Sequence, residues 1–190
     1  MREVFIAGIG QTPVSKQSTD DVRELGARAV RAALAHSGLE APSALYLGNM
    51  LSGLLSDQQQ LAALVAHTAG LHGIEAATVE AACGSGGAAM RWGVMAIQSG
   101  QHDMVVVSGI ERMTHAPRDV TTRALATASD WHKEGGTGAT FVSLNGRLMQ
   151  AYMETYKVDH HAFAPFAVNA HLNANRNPNA LFHKVIDEQV

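Results

Sequence analysis

The sequence predicts an α/β fold, a mostly parallel sheet lying between helices. Three observations carry that prediction. Short apolar runs, Val4–Ile9, Leu45–Leu47, Ala77–Ala82 and Met104–Ser108, alternate with longer stretches of helical period. The helical stretches stop at Gly38, Gly70 and Gly100, as helices ending in a left-handed residue do. Met104–Ser108 is apolar without alternation, which fits a strand buried on both faces and favours parallel pairing beneath helices. The resulting order, β-α-β-α-β-α-β, makes each helix a crossover between parallel strands.

Composition narrows the class of protein. The chain has 190 residues, of which 46% are hydrophobic and 16% charged, enough to build a real core. A formal net charge of −3 gives no basic footprint for a nucleic-acid partner. A single cysteine excludes an internal disulfide framework and predicts a reducing, cytoplasmic setting. No apolar run reaches the roughly 18 residues of a spanning helix, so no membrane partner is expected. The opening Met1-Arg2-Glu3-Val4-Phe5-Ile6 runs straight into a strand pattern, and no signal peptide is expected.

The elements follow in order. Val4–Ile9 is predicted as a buried strand, ending in Gly8-Ile9-Gly10-Gln11-Thr12-Pro13. This is no dinucleotide fingerprint, because Pro13 replaces the third glycine and no helix pattern starts there. A first helix is predicted from Thr19 to Ser37, with Ser18 and Asp21 as a capping box and Val22, Leu25, Ala29 and Ala33 at helical spacing. A second capping box, Ser56 and Gln59, predicts a helix running to Ala69. Ala77–Ala82 is the strand that delivers Cys83. The third helix, Ser85 to Ser99, is rich in Ala and Gly and is expected to be central and almost wholly buried. After Met113 the chain changes character. His115–Val142 is polar and predicted as a long loop. Helices are predicted over Leu144–Val158 and Asp159–Ala174, the latter interrupted at Pro165. Leu181–Val190 carries no end signal, and neither repeats nor low-complexity segments occur. The predicted domains are 1–114, an α/β domain, and 115–190, a partly helical loop domain that is incomplete.

The chemistry centres on Cys83, at the junction of strand and helix. Unpaired N–H groups and the macrodipole at a helix start favour negative charge and lower a thiol pKa. The glycines that follow, Gly84, Gly86 and Gly87, leave room above the sulfur. A lone cysteine is also commonly a small buried hydrophobe, and both readings stand on the residues alone. The hydrolase motif G-x-S-x-G around Ser85 fails because Cys83 occupies the first glycine's place. Caspase and papain signatures fail too, as the flanking residues do not match. No H-E-x-x-H occurs among the ten histidines. His160 and His161 are adjacent and are expected to point apart, and His67 and His72 to lie too far round their helix to share a face, so no metal site is predicted. Glu111 and Arg112 follow a buried strand and are either catalytic groups or a salt-bridged structural pair.

Four segments resemble the N-terminal half of the thiolase family: Phe5–Pro13, Tyr46–Met50, Glu80–Gly86 with the cysteine, and Ile97 through Asp103 to Gly109-Ile110-Glu111-Arg112-Met113. Asn145–Asn173 is similar to the helical part of that family's loop domain, and the wording is nearest to archaeal and sterol-carrier-protein-type thiolases. The resemblance implies two similar α/β halves in a five-layer arrangement, a loop domain inserted in the first, and joining or cleavage of acyl groups on coenzyme A. It implies that Cys83 takes the acyl group as a thioester, that its backbone N–H helps form an oxyanion hole, and that acyl-CoA or acetyl-CoA is substrate, with no cofactor. Arg118, Arg123, Arg147 or Lys133 would meet the coenzyme A phosphates, but no motif selects among them. It further implies a homodimer through the strand before Cys83.

In that family the activating histidine, an asparagine–histidine pair and a second acid/base cysteine lie in a C-terminal half. The resemblance implies that this chain stops before that half, and before the last strand of the N-terminal sheet. The chain alone is then expected to be inactive in the full reaction, to expose an apolar face, and to take a separate C-terminal-half chain as partner. A non-catalytic acyl-CoA-binding or scaffold module is the alternative, with a cysteine hydrolase the third.

Overall fold

The middle strand of the sheet sets the arrangement. β1 (Ala44–Gly48) is buried at every position, so both of its faces require apolar cover. In the computed structural model, which describes residues 2–188, β1 pairs in parallel with β2 (Glu75–Val79) and with β3 (Val105–Gly109). The sheet order is β2-β1-β3. Side chains alternate across β1. Leu45 and Leu47 face a core with Val22 and Val30 of α1 (Val22–Ser37) and Leu61 and Val65 of α3 (Leu61–Thr68). Ala44 and Tyr46 face a second core with Ala89 and Ala96 of α4 (Ser85–Gln98). Each fully buried leucine contributes about 1.5–3 kcal/mol. The expected α/β class, a small parallel sheet among helices, is what forms.

Several local expectations change. α1 is capped by Asp21, whose carboxylate accepts the Glu24 N–H at 2.9 Å. The Ser18 hydroxyl instead accepts from Asp20 N. Gly38 closes α1 at φ 65°, as predicted. Ser56 caps nothing. A short helix, α2 (Ser52–Leu55), precedes it, and Asp57 and Gln60 take φ of 49° and 52°, which no right-handed helix contains. α3 therefore starts at Leu61, and its Ala62 N–H is satisfied by Thr78 Oγ1 of β2 at 3.0 Å. The Ser-x-x-Gln signal was overridden by this long-range bond.

Val4–Ile9 forms no strand. Phe5, Ile6 and Ile9 are 78%, 76% and 70% exposed. The segment is held by α1: a Cβ on Gly8 would lie 2.5 Å from Ala33 O, and one on Gly10 2.4 Å from Ala29 O. Ile9 N–H donates to His36 Nδ1 at 3.1 Å. A ladder needs a neighbour about 4.8 Å away. Here a cavity of about 420 Å³ lies beside the segment, lined also by Val107–Glu111 and by Val30 of α1. The free edge of β3 and the segment face the same space.

α4 is not wholly buried. Ser85, Ala89, Gly93 and Ala96 form its buried stripe, and a Cβ on Gly93 would lie 2.6 Å from Val107 Cγ2, so the helix sits close on the sheet. Met90, Trp92 and Met95 lie on the uncovered side and are nearly half exposed. Its main packing partners among the described residues are the three strands, hence one stripe rather than full burial.

The chain divides into two compact units, residues 2–12 with 17–124, and 13–16 with 125–188. The first runs past the expected boundary at 114, where His115 Nε2 faces Leu55 O at 2.7 Å and Thr121 Oγ1 donates to Met113 O at 3.4 Å. The polar stretch expected to be a loop contains α5 (Arg118–Ala126). Its Val120, Thr121 and Thr122 are poor helix formers, which hid it, while Ala124 and Ala126 are buried. In the second unit α6 (Phe141–Tyr156) begins with a capping box between Thr140 and Ser143. A 3₁₀ turn at His160–Phe163 precedes α7 (Ala164–Asn175). Pro165 lies in the first turn of α7, where its missing N–H costs nothing, so it starts the helix rather than interrupting one. The last two residues of Leu181–Val190 lie outside the described residues. Among the described residues no helix is long and apolar enough to cross a membrane.

A polar network ties the amino ends of the three strands. Tyr46 O–H donates to Glu75 Oε1 at 3.0 Å, Glu75 Oε2 faces His102 Nε2 at 3.0 Å, and His102 Nδ1 faces Ser43 Oγ at 2.7 Å. Burial, then the Glu75 carboxylate, pushes the Tyr46 phenol up to about 12. The bond to His102, then that from Tyr46, holds Glu75 below its ordinary value of 4.5. A lowered carboxylate stabilises the fold above its unfolded pKa and loses this as pH falls. A raised phenol stabilises it below pH 10 and loses this as pH rises through about 12. The urea midpoint is therefore expected to fall at both ends of the range. Tyr46→Phe should flatten the alkaline limb, and an unchanged alkaline slope in that variant would show the network to be idle.

Candidate active site

The site is built where β2 turns into α4. Beyond Val79 the backbone kinks at Ala81 (φ −156°, ψ 47°) and enters the left-handed region at Ala82, φ 48°. A 3₁₀ turn, Ala82–Gly84, carries Cys83 and passes directly into α4 at Ser85. Cys83 is exposed and is not buried among the described residues. Side chains on either side lock the turn. Glu80 Oε1 accepts the Ala82 N–H at 2.6 Å. Ser85, 5% exposed, accepts the Ala81 N–H at 2.9 Å and donates to Ala82 O at 2.6 Å.

Packing beneath the turn requires residues without side chains. A Cβ on Gly48 would lie 2.5 Å from Ser85 C and 2.6 Å from Gly86 N, both backbone atoms. The carboxyl ends of the strands are also joined to one another. Asn49 N–H donates to Val79 O at 3.1 Å, and Ile110 N–H donates to Gly48 O at 3.1 Å. By contrast, a Cβ on Gly84, Gly86 or Gly87 would meet nothing within 4 Å. The space around the start of α4 is open, as a substrate approaching the sulfur would need.

Glu111 and Arg112 do not pair. The Glu111 carboxylate accepts from Asn49 Nδ2 at 3.1 Å, Met50 N at 3.2 Å and Leu51 N at 3.1 Å. Asn49, itself buried, also donates to Ile110 O at 2.8 Å and accepts from Ser52 N at 3.0 Å. Together they fix the loops after β1 and β3. Arg112 Nη2 donates to Ser18 O at 3.2 Å. No spacing in the sequence announced the Asn49–Glu111 bracket, because its members lie about sixty residues apart. Nor was the role of Glu80, Ala82 or Ser85 announced, although all three flank the cysteine.

Of the four candidate cations, Arg118 and Arg123 lie on α5 and Arg147 on α6. Lys133 Nζ is 3.6 Å from Asp130 Oδ2. The histidine geometry differs from expectation. His160 and His161 lie ring against ring at 4.0 Å, because a 3₁₀ turn replaces the helix there. Helix α3 ends at Thr68, and the turn beyond it brings His72 to 5.2 Å from His67. Asp159, His160 and His161 bring one donor atom each within 4.8 Å of one another, all exposed. Among the described residues no histidine hydrogen-bonds Cys83.

Residues 4–187 match the family described as thiolase, N-terminal domain. The chain belongs to that family. It is 40% identical over 195 residues to an acetyl-CoA acetyltransferase of Methanothermobacter thermautotrophicus, covering 100% of this chain and 50% of the relative. It is 38% identical over 203 residues to an acetyl-CoA acetyltransferase of Methanocaldococcus jannaschii, covering 100% and 49%. Sterol carrier protein 2 of Bos taurus is 27% identical over 192 residues, covering 95% and 35%. A solved structure, Ltp2-ChsH2(DUF35) aldolase, superposes with a TM-score of 0.70 at 23% identity, over 97% of this chain and 47% of that one, which speaks to fold. The chain spans about half the length of the two acetyltransferases.

Within this thiolase N-terminal domain, Gly48 is the glycine whose added Cβ would strike the backbone at the start of α4. Gly48→Ala forces backbone to move at Ser85 and Gly86 and is expected to cost about 1–3 kcal/mol. Urea unfolding measures it, and an unchanged midpoint would mean that α4 does not seat on β1 as described.

Proposed function

We propose that this chain is the nucleophile-bearing part of a thiolase-type acyl-CoA C-acyltransferase, acting in thiolytic cleavage or Claisen condensation. One observation carries the reading: the only cysteine is exposed on a locked turn at the start of α4, with open space at the adjacent glycines. The Cys83 thiolate attacks the thioester carbonyl of acyl-CoA. The tetrahedral oxyanion is met by N–H groups at the helix start, including that of Cys83. Its collapse expels the coenzyme A thiolate and leaves the acyl group on sulfur. Acyl-CoA is substrate, and no further cofactor enters. Among the described residues no side chain hydrogen-bonds Cys83, so in this half-reaction the thiol gives its proton to solvent and the departing coenzyme A thiolate takes one back, while the later steps are assigned to the polypeptide that the relatives carry beyond the matched half.

That polypeptide is the proposed partner, a C-terminal thiolase half, supplied in the same or a separate chain. The cavity between β3 and residues 6–12, and the exposure of Phe5, Ile6, Ile9, Met90 and Trp92, support it. A homodimer through β2 is proposed on the ground that β2 is an edge strand. A cytoplasmic setting suits a free, exposed cysteine. A second reading, a non-catalytic acyl-CoA-binding module, is suggested by Cys83 having no hydrogen-bonded side chain among the described residues.

Intact mass after incubation with acetyl-CoA separates the two. One added acetyl group that is absent in Cys83→Ala is expected. No adduct, with coenzyme A binding retained in Cys83→Ala, would overturn the acyl-transfer reading in favour of the binding module.

A further inference from the structure

We infer that Glu80 is a positioning residue for Cys83, its carboxylate clamping the Ala82 N–H and so holding the left-handed turn that presents the thiol. Ala82 at φ 48° is one of five non-glycine residues with positive φ among the described residues, and it directly precedes the cysteine. Left-handed backbone is unfavourable for a residue with a Cβ and persists only where the surroundings over-determine it. Two side chains do so. Ser85 is buried and bridges Ala81 N to Ala82 O, and as the first residue of α4 it moves with the helix. Glu80 is exposed and makes the one side-chain bond given to the Ala82 N–H, at 2.6 Å, short as a carboxylate acceptor allows.

Without Glu80, Ala82 is free to relax from φ 48° to the negative φ that a residue with a Cβ prefers. That rotation, immediately before Cys83, re-aims the chain and carries the thiol off the helix start and away from the open side. The carboxylate therefore acts through backbone geometry and does not touch the reacting atoms. A carboxylate brings a charge as well as an acceptor, so the clamp is tested at constant charge. Glu80→Gln keeps an acceptor oxygen without charge, whereas Glu80→Ala removes both. Ala82→Gly makes the left-handed turn free of steric cost and should make the clamp dispensable.

The inference rests on the acyl-transfer reading for its purpose, but its test does not. The first readout is the rate of Cys83 alkylation by iodoacetamide, with urea midpoints recorded for every variant. Glu80→Ala is expected to alkylate about tenfold more slowly than Glu80→Gln, the scale on which one lost hydrogen bond lowers the population of the turn that presents the thiol. Adding Ala82→Gly to Glu80→Ala is expected to restore the rate to within about twofold of Glu80→Gln. Equal rates for Glu80→Ala and Glu80→Gln, or no rescue by Ala82→Gly, would overturn the clamp. The same rescue is available if Glu80→Ala alone folds poorly. The second readout is acetylation by acetyl-CoA. If the unaltered chain is not acetylated while the alkylation ordering holds, the acyl-transfer reading fails and the clamp stands.

Discussion

The first turn of α4 rests on the ends of β1 and β3 with no side chain between them. A Cβ on Gly48 would strike the backbone of Ser85 and Gly86, whereas one on Gly109 would make ordinary contact with Gly86 at 3.7 Å. A close-packed interior does not absorb an extra methyl group at Gly48 without backbone movement. This contact fixes the height and angle of α4 on the sheet. It thereby fixes the point at which the chain must leave β2, turn and start a helix. Cys83 is exposed because that turn has to be completed within the few residues between Val79 and Ser85.

Two kinds of interaction divide the work around this contact. The apolar faces of β1 bind the helices to the sheet without direction, through Leu45 and Leu47 on one side and Tyr46 with Ala44 on the other. Direction comes from polar groups at the carboxyl ends of the strands. Asn49 and Glu111 collect the backbone N–H groups of the loop after β1, which would otherwise be left unpaired in partly buried surroundings. A carboxylate that accepts three N–H donors is well satisfied without a cationic partner, which explains why Arg112 is free to bond elsewhere.

Much of this was legible in the sequence, and the boundary follows a physical line. Leu45–Leu47 and Met104–Ser108 announced strands because burial on both faces demands continuous apolar residues. Gly38, Gly70 and Gly100 announced helix ends because they take positive φ. Cys83 at a strand-to-helix junction was likewise visible. What failed depended on distant partners. Val4–Ile9 has the composition of a strand, yet strand formation needs a neighbour, and the neighbouring space is a cavity. Ser56 carried a cap signal that Thr78 displaced from the far side of a turn. α5 was hidden by threonines that tertiary packing of Ala124 and Ala126 overrides. The positive φ of Ala82 has no signature in an alanine at all.

The account makes Cys83 an acyl acceptor that works through the geometry of its own turn, in a chain spanning about half the length of its acetyltransferase relatives. The most direct measurement is isotope exchange between labelled free coenzyme A and unlabelled acetyl-CoA in the presence of this chain, which requires the acyl group to pass on and off the protein. The account predicts exchange that disappears in Cys83→Ala and is diminished in Gly48→Ala. Exchange that survives Cys83→Ala, or none with the unaltered chain, would contradict it.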